Sequence, residues 1–231
     1  MPTFYQPEIS SGHLLPEESR HAIKVLRLGP GAEIELTDGK GGFYHANITK
    51  PDPRQCEFKI TQHEIISKRA FSIHLAIAPT KNSERMEWMV EKCVEVGIEK
   101  ISFILSKTSE RKSINMERIE KIVISAMKQS KQAWLPELVP MKPIDEFISQ
   151  CTEKDKFIAH VDEQNLVYLK NQGTAAANAV VLVGPEGDFT KEELGVAILS
   201  GFLKVSLGPN RLRTETGGLS AVMILNLLNQ T

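Results

Sequence analysis

Two glycine-bearing stretches decide the reading of this chain: Gly184-Pro185-Glu186-Gly187-Asp188-Phe189 and Leu207-Gly208-Pro209-Asn210-Arg211-Leu212-Arg213-Thr214-Glu215-Thr216-Gly217-Gly218. Each directly follows a short apolar strand pattern, Ala179 to Val183 for the first and Val205 to Leu207 for the second. Loops at the carboxyl ends of parallel strands open into a shared crevice, and that is where α/β sheets bind ligands. Both loops are therefore expected at one sheet edge, lining one pocket. Neither reads G-x-G-x-x-G or G-x-x-x-x-G-K-[ST], so the two common nucleotide-phosphate cradles lose support. What remains is a site of backbone groups with Glu186, Arg211, Arg213 and Glu215.

Working outward, strands and helices alternate from Phe71 onward. Phe71 to Ala78 reads as a strand. Asn82 to Val96 reads as an amphipathic helix, with Met86, Met89, Val90, Cys93 and Val94 at i, i+3, i+4, i+7 and i+8, closed by Gly97. Ile101 to Leu105 is the next strand, and Asn115 to about Gln132 the next helix, burying Ile119, Ile122, Val123, Ala126 and Met127. Phe157 to Val161 is a further strand. Thr190 with Glu193 forms a capping box that starts a helix ending at Gly201. Such alternation predicts a mostly parallel sheet with helices on both faces. The last helix, Leu219 to about Leu228, has almost no polar face, so it is expected to be buried on all sides, either as the centre of this domain or, the favoured reading because the sheet can cover only one side, beneath a second copy of the chain.

Before about Arg69 the texture differs. Ala32 to Leu36 and Phe43 to Ile48 flank the turn Asp38-Gly39-Lys40-Gly41-Gly42, and period-2 alternation around such turns predicts hairpins. A helix from Pro16 to Leu26 interrupts them, giving a small β-barrel with a helix across it, near the lower size for a self-sufficient domain.

Composition narrows the function classes. With 41% hydrophobic and 25% charged residues, the 231-residue chain has ordinary globular composition. No stretch approaches the roughly 20 apolar residues of a membrane helix, and the start Met1-Pro2-Thr3-Phe4-Tyr5 lacks a signal-peptide build, so a cytoplasmic protein is expected. Cys56, Cys93 and Cys151 are far apart and read as reduced thiols; the six histidines form no metal-ligand spacing, and no metal is expected. Net charge is −1, but local charge is informative: Lys107 to Gln132 holds seven Lys/Arg against three Glu, and Lys204 to Thr214 three Lys/Arg and no acid. The first run fits either a solvated helix face or a phosphate contact. The second lies inside the pocket loop.

Val183-Gly184-Pro185-Glu186-Gly187-Asp188-Phe189, then Val205-Ser206-Leu207-Gly208 and Leu212-Arg213-Thr214-Glu215-Thr216, resemble the RsmE family of the SPOUT class, whose members methylate N3 of a uridine in 16S ribosomal RNA. The resemblance extends to His21 with Val25-Leu26-Arg27, to Lys81-Asn82-Ser83-Glu84-Arg85-Met86-Glu87, to Lys92-Cys93-Val94-Glu95-Val96-Gly97, and to Gln129-Ser130 with Leu135-Pro136-Glu137-Leu138, in order along most of the chain. It departs at Asn210 and Arg211, where Arg and Ile are frequent, at Gly217, where Ala is common, and at Lys128 and Gln132, where Glu and Arg are frequent. The resemblance implies an RNA-binding PUA-like β-barrel over residues 1–70 and a SPOUT methyltransferase domain over 71–231, an α/β domain with a deep trefoil knot, active as a homodimer. Pattern reading alone does not propose a knot. The implied cofactor is S-adenosyl-L-methionine, held by Leu182, Val183, Gly184, Pro185, Glu186 and Gly187 in the first loop and by Leu207, Gly208, Leu212, Arg213, Thr214 and Thr216 in the second. Its implied partner is 16S ribosomal RNA or the small ribosomal subunit.

Methyl transfer from a sulfonium to a ring nitrogen is an in-line displacement in which positive charge disappears, so alignment dominates. The uridine N3 is protonated at neutral pH, and a carboxylate base with an arginine near the carbonyl oxygens would serve. Arg213 and Glu215 are the catalytic candidates, with Glu186 second. The structural alternatives are a Glu215 paired with Arg213 and a Glu186 that holds its loop. His21 and Arg27 are candidate RNA contacts on the barrel, although His21 equally fits a partly buried structural histidine. Lys107, Arg111, Lys112 and Arg118 form a candidate phosphate track, and Arg211 a candidate RNA contact at the pocket. The readings left beside this one are a SPOUT methyltransferase acting on another RNA, a non-catalytic RNA-binding module, which would take no S-adenosylmethionine, and a cofactor-dependent oxidoreductase, for which Ala78-Pro79-Thr80-Lys81 offers no glycine-rich turn.

Overall fold

The computed structural model describes residues 1–160 and 167–230, and divides into two compact units. One comprises Met1–Lys68 with Ile124–Leu135; the other comprises Arg69–Val123 with Pro136–Thr231. Membership of 124–135 in the N-terminal unit was not expected from sequence, where the division falls near residue 70.

The N-terminal unit carries a four-stranded sheet ordered β1 (Thr3–Tyr5), β2 (Glu33–Thr37), β3 (Gly42–Lys50) and β4 (Glu57–Ile65), with β1 parallel to β2 and the remaining pairs antiparallel. The β2–β3 hairpin turns where the Gly-rich sequence predicts it. Asp38 holds that turn: its Oδ1 accepts from the backbone N–H of Lys40 (2.7 Å) and Gly42 (2.9 Å), and its Oδ2 accepts from the Tyr44 hydroxyl (3.1 Å). The expected helix is α1 (Pro16–Arg20), with Pro at its first position and a π-helical turn, His21–Val25, continuing it. Phe4, Leu14, Ala22, Ile34, Leu36, Ile48 and Phe58 form the core beneath. Strand β4 escaped the sequence reading because it lies at the sheet edge and most of its side chains are polar and exposed.

The C-terminal unit is built on six parallel strands in the order β10 (Leu203–Val205), β8 (Asp155–Ala159), β9 (Asn178–Val183), β5 (Ser72–Ile77), β6 (Lys100–Leu105) and β7 (Glu137–Pro143). Its helices are α2 (Ser83–Val96), the first half of α3 (Met116–Gln129), α4 (Ile144–Gln150), α5 (Lys191–Leu199) and α6 (Thr214–Leu228). A central parallel strand is covered on both faces, and β5 is accordingly buried from Ile73 to Ile77, with His74 the one polar side chain among them. Leu75 and Ile77 meet α6 and α2, while Ala76 and Ala78 pack in a cluster with Ile144 and Phe147 of α4 and Ala197 of α5. Helix α2 starts where Asn82 Oδ1 accepts from the N–H groups of Glu84 and Arg85, and it stops at Gly97, whose φ of +105° favours glycine. The Thr190–Glu193 capping box at α5 is present on both sides.

Several sequence expectations are corrected. Helix α6 begins at Thr214, five residues before the expected Leu219, so Thr214, Glu215 and Thr216 lie in its first turn and not in a loop. The last strand is Leu203–Val205, short of the expected Leu207. Strand β7 was missed because Pro140 and Pro143 read as breakers, yet an edge strand tolerates proline. The seven-residue α4 is too short for a periodic signal. Val161, the expected end of its strand, lies outside the described residues. The α6 helix is not buried all round in the single chain: Met223 is 45% exposed and Leu227 61%. All three cysteines are free.

Gly218 explains how closely α6 sits on the sheet. A Cβ there would fall 2.8 Å from Ile77 Cδ1, 3.3 Å from Leu75 Cδ2 and 3.4 Å from Met89 Sδ. Gly218→Val is expected to cost about 1–3 kcal/mol through overpacking. The measurement is the urea midpoint, which should fall with an unchanged slope; an unchanged midpoint would contradict the close approach.

Candidate functional site

The carboxyl ends of β10, β8 and β9, three neighbouring strands, surround a cavity of about 730 Å³. Ala159 and His160 come from the end of β8, Val183 to Glu186 from the end of β9, Val205 to Leu212 from β10 and the loop after it, and Arg213 to Glu215 with Gly217 from the start of α6. Gly184 and Gly208 line it together, as the strand-end argument requires. The first loop is braced from below. Its Asp188 N–H donates to Pro185 O (2.9 Å) and its Asp188 carbonyl accepts from Thr108 Oγ1 (2.5 Å), while in α5, which follows the loop, the buried Glu193 carboxylate accepts from Ser106 Oγ (3.0 Å) and from the Lys107 N–H (2.8 Å). In the second, Ser206 Oγ donates to Gly208 O (2.9 Å).

Most predicted pocket residues are brought together. Val183, Gly184, Pro185, Glu186, Leu207, Gly208, Arg211, Leu212, Arg213, Thr214 and Glu215 all line the cavity. Three do not: Leu182 is fully buried in the core beneath, Gly187 faces Thr108, and Thr216 points away within the first turn of α6. Glu186 Oε1 accepts from the Lys81 N–H (3.2 Å), which ties its loop to the β5–α2 connection. The partner of Glu215 is not Arg213. Its side chain, 8% exposed, lies 3.7 Å from Arg85 Nε of α2, while Arg213 is exposed at the N-cap of α6 and makes no ion pair among the described residues.

The candidate RNA contacts fall elsewhere. His21 and Arg27 belong to the N-terminal unit, both exposed, and Arg27 has a φ of +54°. Arg111 donates to Thr80 O (2.9 Å) and Lys81 O (2.6 Å), Arg118 pairs with Glu87 (3.0 Å), and Lys112 is exposed. Two of the four residues of the expected phosphate track are thus engaged within the chain. The sequence reading missed Arg85, His160, Ser206 and Asp188 in the cavity wall. The signal for His160 was available, since it ends a third strand whose loop opens at the same edge.

Among the described residues no cluster of His, Cys, Asp and Glu could hold a metal ion, and no helix is long and apolar enough to cross a membrane. The cavity suits a small polar organic ligand. Its walls mix main chain with three guanidinium groups and three carboxylates, and a Cβ at Gly208 would meet no atom within 4 Å, so that backbone borders free volume.

Residues 67–226 match the family described as RNA methyltransferase domain, and residues 14–61 the family described as RNA methyltransferase PUA domain. The chain is similar to a crystal structure of a probable rRNA-methyltransferase from Porphyromonas gingivalis, with 42% identity and a TM-score of 0.93 over 99% of this chain and 98% of that one. It is similar to ribosomal RNA small subunit methyltransferase E from Neisseria gonorrhoeae, a structure bound to S-adenosyl methionine, with 29% identity and a TM-score of 0.86 over 99% and 98%. The enzyme of the same name from Synechocystis is 30% identical over 89% of this chain and 69% of its own length. With its fold and both of its sequence segments matched, the chain belongs to the ribosomal RNA small subunit methyltransferase E family of RNA methyltransferases.

Proposed function

We propose that this chain transfers a methyl group from S-adenosylmethionine to N3 of a uridine in the 16S ribosomal RNA of the small ribosomal subunit. The observation that carries the reading is the single cavity walled by both strand-end loops, in a fold shared with a relative that binds S-adenosyl methionine. Main chain of Val183 to Glu186, Leu207, Gly208 and Leu212 to Thr214 would hold the donor, which supplies an electrophilic methyl group when bound. Leu182, Gly187 and Thr216 act from behind the walls. Arg213, whose guanidinium has no ion-pair partner among the described residues, stabilises negative charge spreading over the pyrimidine carbonyl oxygens. Glu215 acts in the site by fixing Arg85 at the cavity wall, a role its buried pairing supports better than that of free base.

The N-terminal unit is the PUA-like barrel that takes RNA, with His21 and Arg27 on its surface and Arg111, Lys112 and Arg211 as further phosphate contacts of the chain. The C-terminal unit is the trefoil-knotted SPOUT domain, and the enzyme works in the cytoplasm. It is a homodimer: Met223 and Leu227, at i and i+4 on α6, expose apolar surface that a second copy would cover. Met223→Glu combined with Leu227→Glu is expected to convert a dimer into a monomer, read as a halved mass in sedimentation equilibrium. A wild-type chain that sediments as a monomer would remove the dimer.

Primer extension across 16S RNA from cells lacking the gene tests the function, because an N3 methyl group blocks pairing and stops the copying enzyme. One stop present in wild-type RNA should vanish in the deletion and return on complementation. An unchanged stop pattern would favour another RNA as substrate.

A further inference from the structure

His160 and Asp188 face each other in the cavity wall, and no role described so far uses them. His160 follows β8, anchored by its backbone N–H to Val205 O (3.2 Å). Its buried Nδ1 lies 2.9 Å from Asp188 Oδ2, short enough for an ion pair but off the line of a hydrogen bond, so the nitrogen has no hydrogen-bond partner among the described residues. Asp188 is held tightly. It adopts a φ of +59°, a conformation that only glycine, asparagine and aspartate enter readily, and its Oδ1 accepts from the Phe189 N–H (2.7 Å). One carboxylate oxygen thus serves the loop and the other faces the imidazole. An aspartate at Nδ1 fixes a histidine so that Nε2 is the free acceptor, the arrangement of a general base. Poor alignment in an unliganded site is usual and tightens when substrate binds. The rival carboxylate, Glu215, is already answered by Arg85.

We propose that His160 Nε2 accepts the N3 proton of the target uridine and that Asp188 is its positioning residue. The inference rests on the methyltransferase reading above. In the step, the bond between methyl and sulfur breaks and the N3–CH3 bond forms. The N3 proton passes to Nε2, the positive charge lost from sulfur reappears on the imidazolium beside Asp188, and solvent then takes the proton. The other charged groups of the cavity are Arg85, Arg211, Arg213, Glu186 and Glu215.

The test compares wild type with His160→Gln and Asp188→Asn, the latter keeping the Oδ1 acceptor and the tolerance for positive φ. Small ribosomal subunits from deletion cells serve as substrate, and calorimetry with S-adenosylmethionine checks the folded site. His160→Gln should lower kcat by about 10²–10³-fold, in the range of a lost general base, with donor Kd within about threefold. It should also change the acid side of the pH profile of kcat relative to wild type. Asp188→Asn should lower kcat less than His160→Gln. Target RNA carrying 5-fluorouridine, whose N3–H is more acidic, should shrink the His160→Gln defect by about tenfold. Turnover of His160→Gln near wild type, or a parallel loss of donor affinity, overturns the proposal. A wild-type enzyme that binds no donor or transfers no methyl group defeats instead the reading on which it rests.

Discussion

Replacing Arg213 with alanine is expected to lower kcat by about 10²–10³-fold, the usual cost of removing one preorganised donor that stabilises developing negative charge. The residue lines the cavity from the N-cap of α6, is exposed, and supports no other side chain among the described residues. Stability should therefore change little, since surface substitutions away from special features stay within about 0.5 kcal/mol. Calorimetry should return a Kd for S-adenosylmethionine within about threefold of wild type, because the main chain proposed to hold the donor is untouched. A variant that loses donor binding, with turnover at saturation unchanged, would take Arg213 out of the chemistry and leave it a binding residue. Arg213→Lys is the control: it keeps the charge without the planar fork and should recover only part of the rate.

Replacing His74 with alanine should destabilise the chain by about 3–5 kcal/mol, the cost of leaving the largely buried Glu153 carboxylate without its hydrogen-bond partner. His74 sits on β5, 4% exposed, with Nδ1 2.5 Å from Glu153 Oε1, Nε2 2.7 Å from Ser102 Oγ, and its ring edge-on to Phe147 at 5.4 Å. The serine, histidine and glutamate repeat the spacing of a hydrolytic triad. Ser102 is 1% exposed beneath helix α4, however, so the group is a polar clasp inside the core and not a second active centre. Burial pushes the Glu153 carboxyl up, but the hydrogen bonds from His74 and from Cys151 Sγ (3.0 Å) outweigh it and hold it at about 2. Burial, together with that carboxylate, pushes the Cys151 thiol up to about 12. A depressed carboxyl contributes stability in full above its unfolded value near 4.5 and loses it as pH falls through about 2. The melting temperature of His74→Ala should thus lie roughly 6–20 °C below wild type at neutral pH, and the gap should narrow between about pH 4.5 and 2. A gap that is small at neutral pH, or constant into acid, would contradict the clasp.

These two residues mark what sequence can and cannot supply. Arg213 was legible as a cavity residue because loops after apolar strands carry ligand sites, and Val183-Gly184 and Val205 to Gly208 set two such loops at one sheet edge, with β8 between their strands. Period and caps located α2, α3 and α5 to within about three residues at each end, since Met86 to Val94, Ile119 to Met127 and Thr190-Glu193 carry the pattern themselves. His74 and Glu153 were not legible. They lie 79 residues apart and meet only because β5 and the start of β8 are two places apart in the sheet. Pairings of that kind depend on strand order, which hydrophobic alternation does not encode. The same blindness hid Arg85 beside Glu215, where sequence proximity pointed instead to Arg213. The early start of α6 was hidden by Gly217 and Gly218, which read as loop residues; in the structure Gly218 is the point of closest approach between helix and sheet.

The central claim, that the cavity at the ends of β8, β9 and β10 delivers a methyl group to uracil N3, is tested most directly with S-adenosylmethionine labelled in its methyl group. The purified chain is incubated with small ribosomal subunits from cells lacking the gene, and the 16S RNA is then digested to nucleosides. The account predicts label in 3-methyluridine alone, approaching one methyl group per subunit and appearing about 10²–10³-fold more slowly when Arg213 is alanine. Label in any other nucleoside, or none at all with the donor bound, would contradict it.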